Sequence, residues 1–211
     1  MMLHAIVPVK SLAQAKSRLA GTLTPNERRA LMIEMLERVV GVLRHPATPV
    51  TTIWLVSADP VALRLATSWG AQPLHEHASD LNSALAQARS CAFAHGAEAI
   101  LVVPGDVPLI TLADVAALAA LLAHDTAVAL APDAAGHGTN ALGLRRTAAI
   151  PFRFGPASAA QHLAEAVARN LRIRWYHSPT LALDVDDPAS LAHYRALVPS
   201  PTAWVGGDCR L

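Results

Sequence analysis

Cysteine is scarce: Cys91 and Cys209 are the only two in 211 residues, and no CxxC spacing occurs. A disulfide framework or a structural zinc site is therefore not expected, and a reducing cytoplasm is the expected location. Long apolar runs are missing too. No stretch reaches the roughly 18 unbroken apolar residues of a membrane helix. The opening MMLHAIVPVK has neither the basic start nor the cleavage site of a signal peptide. Charge is sparse at 16% of residues and nearly balanced at +1, so no global field draws the chain to nucleic acid or to a membrane. Lysine is the rarest cation. Fifteen of the 17 basic residues are arginine, and the two lysines, Lys10 and Lys16, share one loop. That bias can reflect an arginine-rich genome. The favoured reading is a loop that uses flexible point charges against a polyphosphate.

What the chain has in quantity is apolar material, 53% of residues, enough for one sizeable core. Strand-like and helix-like segments alternate along it. Leu3 to Val9 reads as a strand, and Thr24-Pro25-Asn26-Glu27 opens a helix with a threonine cap, proline at its first position and glutamate three residues after the cap. Leu31, Met35, Leu36, Val39 and Leu43 follow at helical spacing. Further strands are expected at 51–57, 71–74, 99–103, 127–131, 140–144 and 173–176, with a last one near 181–183. Helices are expected between them at 60–69, 81–94, after 111, at 158–169 and after 187. The pattern predicts an α/β fold, a single domain with a mostly parallel central sheet covered on both faces, over residues 1–198. The proline- and glycine-rich segment 199–211 is expected to be a loosely ordered tail.

In such a sheet, ligands bind beyond the carboxyl ends of the strands. Three places there carry charge. The loop VPVKSLAQAKSRLA holds Lys10, Lys16 and Arg18 between a strand and a helix. Three cations can neutralise a nucleoside triphosphate and its leaving pyrophosphate, although basic loops also simply face solvent. The loop is neither a Walker loop nor a GxGxxG fingerprint. Asp106 ends the apolar run AILVV through Pro104-Gly105, where it can stabilise the turn or point into the crevice. Asp184 and Asp186 alternate in LALDVDDPASL, on one side of an extended segment, while Asp187 before Pro188 is explained as a helix cap. Two adjacent like charges are costly unless a cation lies between them. With Asp106 they can offer hard oxygen ligands to Mg²⁺, and paired ions can clamp a displacement at phosphorus.

Two polar turns complete the set. Gly136-His137-Gly138-Thr139-Asn140 leads into a strand. Phe154-Gly155-Pro156-Ala157-Ser158 precedes a helix, whose amides and serine hydroxyl can hold an anion. Each is equally readable as an ordinary loop or cap. The histidines show no zinc spacing and are expected mostly at the surface. Trp54 and Trp69 fit core positions, and no GxSxG elbow supports acyl transfer.

In order, VPVKSLAQAKSRLA, ASDLNSALAQA, VPGDVPLIT, GTNALGL, FGPASAAQHLAEA and LALDVDDPASL resemble the 2-phospho-L-lactate guanylyltransferase family of deazaflavin coenzyme (F-420) biosynthesis, whose bacterial members include phosphoenolpyruvate guanylyltransferases. The matches run from residue 7 to about 191. The resemblance implies a Rossmann-like nucleotidyltransferase fold of the glycosyltransferase-A type, GTP as donor, and Mg²⁺ held by Asp106, Asp184 and Asp186. It also implies Thr139, Gly155 and Ser158 around a phosphorylated carboxylic acid. Lys10, Lys16 and Arg18 would then face the triphosphate, with Asp80 and Asn82 near the base. The implied acceptor is phosphoenolpyruvate, 2-phospho-L-lactate or 3-phospho-D-glycerate, with phosphoenolpyruvate favoured. Ala157 departs from relatives that carry glycine. Molybdenum-cofactor and sugar-phosphate nucleotidyltransferases are the enzyme rivals, although their glycine-rich first loop is absent here. A non-catalytic nucleotide-binding protein is the rival from another class. The expected partners are GTP and the phospho-acid, with no nucleic acid or membrane. Homodimerisation is a default expectation that no residue pattern supports.

Overall fold

The computed structural model describes residues 1–77, 80–123, 127–148 and 150–198. The expected tail and Cys209 lie outside them. Seven strands form one sheet: β1 (Leu3–Pro8), β2 (Val50–Ser57), β3 (Gln72–His75), β4 (Ala99–Val102), β5 (Val128–Pro132), β6 (Thr139–Arg145) and β7 (Ile173–Trp175). Their spatial order is β3-β2-β1-β4-β6-β5-β7. β1 runs parallel to both β2 and β4, β2 to β3, and β5 to β7, while β6 is antiparallel to β4 and β5. The chain builds outward from β1 to β3, then returns to place β4 on the other side of β1. That reversal makes a crevice beyond the carboxyl ends of β1 and β4, where an open sheet binds its ligand.

Among the described residues six α-helices cover the two faces: α1 (Pro25–Arg44), α2 (Pro60–Ser68), α3 (Leu81–Ala94), α4 (Leu112–Ala123), α5 (Ser158–Val167) and α6 (Pro188–Leu197). Alternate residues of the central strands serve different cores. Ala5 and Val7 of β1 and Leu101 of β4 join the core beneath α1 and α4, whereas Ile6, Ile100 and Val102 join the core beneath α3 and α5. A strand buried on both sides has no use for polar residues, which is why AILVV reads as an unbroken apolar run. α1 begins where its capping box predicts: Thr24 and Glu27 exchange side chain to backbone hydrogen bonds, and Pro25 is the first helical residue. Its buried stripe includes all five residues expected from the helical period.

One expected strand does not form. Residues 181–183 are irregular because their backbone groups go to separate partners rather than to a ladder. The Ala182 amide turns back to the Ser178 carbonyl, the Ala134 amide donates to the Ala182 carbonyl, and the Asn140 side chain donates to the Leu181 carbonyl.

Candidate active site

The first loop is pinned from below. The Val9 amide donates to the Val56 carbonyl at 2.9 Å, and the Leu12 amide to the Asp59 carboxylate at 2.9 Å. Asp59 also caps α2, so one side chain fixes two segments. Lys16 adopts a left-handed backbone with φ of 54°, a conformation that costs a non-glycine residue roughly 1–2 kcal/mol and that concentrates at functional sites. From there its ammonium reaches Asp106 Oδ2 at 2.8 Å and Asp186 Oδ1 at 2.6 Å, and its side chain is only 4% exposed. Burial alone would lower the Lys16 pKa, but the charges and hydrogen bonds of Asp106 and Asp186 outweigh it and the net shift is upward. Arg18 stands 3.7 Å from Asp186 Oδ2 with most of its side chain in solvent, and Lys10 is exposed.

The aspartates come from two segments that meet backbone to backbone. Gly105 lets the turn after β4 press on α1: a Cβ there would stand 2.8 Å from Leu36 Cδ1 and 3.0 Å from Met32 Cε. Asp106 follows, and its carbonyl accepts from the Val185 amide at 3.1 Å. Val185 is fully buried, which fixes the partly exposed residues on either side of it, Asp184 and Asp186, around Asp106. Asp187 caps α6 as expected. The Asp184 carboxyl is pushed above its ordinary value first by burial and then by the negative charges of Asp106 and Asp186, while the Asn140 side chain opposes the shift. The site therefore holds more carboxylate charge than the Lys16 ammonium offsets, in a hard oxygen donor set that suits Mg²⁺. Among the described residues no three His, Cys, Asp or Glu side chains are grouped so that they could hold a metal ion as they stand. Lys16 lies between two of the three candidate ligands.

A cavity of about 540 Å³ opens here. Lys10, Lys16, Arg18, Asp106 and Asp186 line it, together with Leu81 and Phe154. Asp184 is not among its lining residues. Asp80 and Asn82 are engaged structurally: Asp80 caps α3, and Asn82 makes a two-way bond with the Phe154 backbone at 3.0 and 2.7 Å. Asn82 thus ties the wall of the cavity to the loop before α5.

Thr139, Gly155 and Ser158 are joined to one another by hydrogen bonds and are not among the residues that line the cavity. Thr139 Oγ1 lies 3.1 Å from Ser158 Oγ and 3.1 Å from His162 Nδ1, all three side chains buried. The first amides of α5 are already used, Ser158 donating to the Gly155 carbonyl and Ala159 to the His137 carbonyl. The anion site expected at this helix start is thus not a set of free amides. Gly155 has φ of 133° and Ala157 φ of 52°. The left-handed turn at Ala157 explains on physical grounds why glycine would suit that position.

The model of the family described as "Guanylyl transferase CofC like" matches residues 3–194. The chain belongs to this family. A phosphoenolpyruvate guanylyltransferase of Chloroflexus aggregans is 42% identical over 198 residues, covering 92% of this chain and 98% of the relative. A 2-phospho-L-lactate guanylyltransferase of Methanothermobacter thermautotrophicus is 40% identical over 191 residues, covering 89% of this chain and 81% of that one. Among solved structures, a nucleotidyl transferase from Methanothermobacter matches with a TM-score of 0.65 at 15% identity, over 93% of this chain and 97% of that one. The last likeness establishes the nucleotidyltransferase fold and nothing finer. Family membership and fold agree with the chain's own topology, a switch point at β1 and β4 with its charges in the crevice.

Three residues near the site are not expected from the sequence to bear on it: Asn140 reads as part of a polar turn, Asp114 as part of the cap of the helix after Thr111, and His162 as a histidine without zinc spacing. Asn140 faces Asp184 and Leu181, on the opposite side of β6 from Thr139, as strand alternation requires. His162 sits one helical turn after Ser158, and that spacing was the available signal. Asp114, 2% exposed, accepts from Thr111, Tyr176, Ser178 and Thr180 and so anchors the segment that leads to Asp184.

Proposed function

We propose that the chain is a Mg²⁺-dependent guanylyltransferase. It moves GMP from GTP onto the phosphate of a three-carbon phospho-acid, phosphoenolpyruvate favoured, and releases pyrophosphate. The observation that carries this reading is the Lys16 ammonium held between Asp106 and Asp186 on the wall of a cavity that Lys10 and Arg18 also line. Opposed charges at one strand-end crevice suit a metal triphosphate. The family membership supports GTP as donor, and the names of the relatives support the acceptor class. The reaction belongs, on this reading, to deazaflavin coenzyme biosynthesis in the cytoplasm.

Asp106, Asp184 and Asp186 would hold Mg²⁺, which when bound supplies positive charge to the reacting phosphates. Lys10 and Arg18, exposed on the cavity wall, neutralise the triphosphate and then the pyrophosphate that leaves. Lys16, when it parts from the aspartates, is close enough to join them. Thr139, Gly155 and Ser158 hold the acid. An oxygen of the acceptor phosphate bonds to the α-phosphorus of GTP as the bond from that phosphorus to the bridging oxygen of pyrophosphate breaks. A phosphate monoester with a second pKa of about 6 is already mostly dianionic near neutral pH. No side chain need remove a proton, so the protein's part is positioning and charge neutralisation.

The test is incubation of the purified chain with GTP and each of phosphoenolpyruvate, 2-phospho-L-lactate and 3-phospho-D-glycerate, with Mg²⁺ or EDTA, and mass detection of the nucleotide product. A guanylylated phospho-acid formed only with Mg²⁺ is expected. Product with none of the three acids would overturn the reading, and product in EDTA would overturn its metal. Light scattering after size-exclusion chromatography tests the homodimer expectation.

A further inference from the structure

The hydrogen bonds around His162 have a direction that the proposed chemistry leaves unused. The ring is fully buried. Its Nε2 lies 2.9 Å from the backbone nitrogen of Arg153, which can only donate, so Nε2 must present a lone pair. A neutral imidazole then carries its proton on Nδ1, and that proton faces Thr139 Oγ1 at 3.1 Å. The Ser158 carbonyl, one helical turn earlier, is a second acceptor for the same Nδ1–H and also favours a ring proton there. Ser158 Oγ donates to the same Thr139 oxygen at 3.1 Å. A hydroxyl oxygen has two lone pairs. With Nδ1–H shared between Thr139 Oγ1 and the Ser158 carbonyl, both Thr139 lone pairs still face donors, and the Thr139 hydrogen is left to donate elsewhere.

We propose that His162 is a positioning residue for the acceptor substrate: with Ser158 it occupies both lone pairs of Thr139 Oγ1 and makes that hydroxyl a donor only, matched to an anionic oxygen of the phospho-acid. The inference rests on the assignment of Thr139 to the phospho-acid; Ser158, whose hydroxyl hydrogen is spent on Thr139, acts on the acid through that hydroxyl. A hydroxyl that can no longer accept suits an oxygen that can only accept, such as that of a carboxylate, and is mismatched to a group that can only donate, such as an ammonium. A site built around one polar pairing rejects a partner lacking it far better than an apolar pocket can. A charged ring would set an N–H against the Arg153 amide and undo the arrangement. The charged groups around it are Arg153, which opposes protonation, and Glu165, which favours it but is itself paired with Arg153 and Arg169. The Phe154 ring closes the remaining side, edge-on at 5.1 Å.

Two measurements test this. Long-range proton–nitrogen NMR of histidine-labelled protein should show His162 with Nδ1 protonated and Nε2 bare at pH 7. The opposite tautomer or a charged ring at pH 7 would overturn the proposal whatever the activity. In kinetics, His162→Gln can still accept from Arg153 but not donate to Thr139, and should raise KM for the phospho-acid about tenfold with KM for GTP nearly unchanged. His162→Asn, whose amide can take the place of Nδ1–H, should recover part of that loss. An unchanged phospho-acid KM in folded His162→Gln, or equal rises for both substrates, removes the role. Thr139→Val separates the two readings. If its phospho-acid KM is unchanged, the site assignment itself fails. If it rises while His162→Gln has no effect, only the histidine's role fails.

Discussion

The Val185 amide donates to the Asp106 carbonyl at 3.1 Å, so the two segments that carry the candidate metal ligands are joined through their backbones. The join puts Asp184 and Asp186 beside Asp106 whether or not a cation is present. Such preorganisation has a cost, because like charges are held together. At Asp184 burial first, and the charges of Asp106 and Asp186 after it, raise the pKa. Its unfolded carboxyl ionises before the folded one, so the folded state loses stability as pH rises above the ordinary 3.8. At neutral pH the charge is a standing penalty. Asp184→Asn should therefore stabilise the free protein by about 1 kcal/mol, raising its melting temperature by about 2–4 °C. The same variant should lose guanylyl transfer. A fall in both melting temperature and activity would show that Asp184 is a structural residue instead.

Mg²⁺ should stabilise the same cluster. An ion that binds only the folded chain at a hundred times its Kd adds about 2.7 kcal/mol. The melting temperature of the wild type should rise on titration with MgCl₂ and return with EDTA. Asp106→Asn should remove that response and lower kcat by about 10²- to 10³-fold, with a circular dichroism spectrum like that of the wild type. A full Mg²⁺ response in the variant would move the ion elsewhere.

How much of this was legible beforehand depends on whether the cause was local. α1 could be placed because its cap, its proline and its apolar stripe all lie within the helix. Asp106 stood out because a doubly buried strand ends at it. Asn140 and His162 did not stand out, since their importance appears only when β6 is paired with β4 and α5 is packed against the start of β6. The left-handed backbone of Lys16 is invisible in a lysine, which carries no preference for positive φ. Residues 181–183 looked like a strand because they are apolar, but their carbonyls are taken by Asn140 and Ala134, contacts distant in sequence.

Gly105 connects packing to chemistry. An alanine there would drive its Cβ to 2.8 Å from Leu36 Cδ1, a side chain with no exposure of its own. Overpacking of this kind costs typically 1–3 kcal/mol. Gly105→Ala should lower the urea midpoint by an amount in that range. It should also lower kcat, because the adjacent Asp106 moves with the backbone. Loss of stability with unchanged kcat would show that the turn can relax without shifting the carboxylate.

The buried histidine gives the protein an acid sensitivity of known sign. Burial, and then the charge of Arg153, lower the His162 pKa from 6.5 to about 4. Between those values the unfolded chain holds a proton on this residue and the folded chain does not, so stability rises with pH across that window. The contribution is fully present above 6.5 and is lost as the pH falls toward 4. Moving from pH 7 to pH 4.5 should remove about 2–3 kcal/mol through this one group. Urea unfolding of the wild type and of His162→Gln at both pH values isolates it, because other titrations are common to the two proteins. The wild type should lose more stability on acidification than the variant does. Equal losses would mean that the His162 ring takes up its proton in the folded protein as readily as in the unfolded one, and that the Arg153 amide does not hold Nε2 bare.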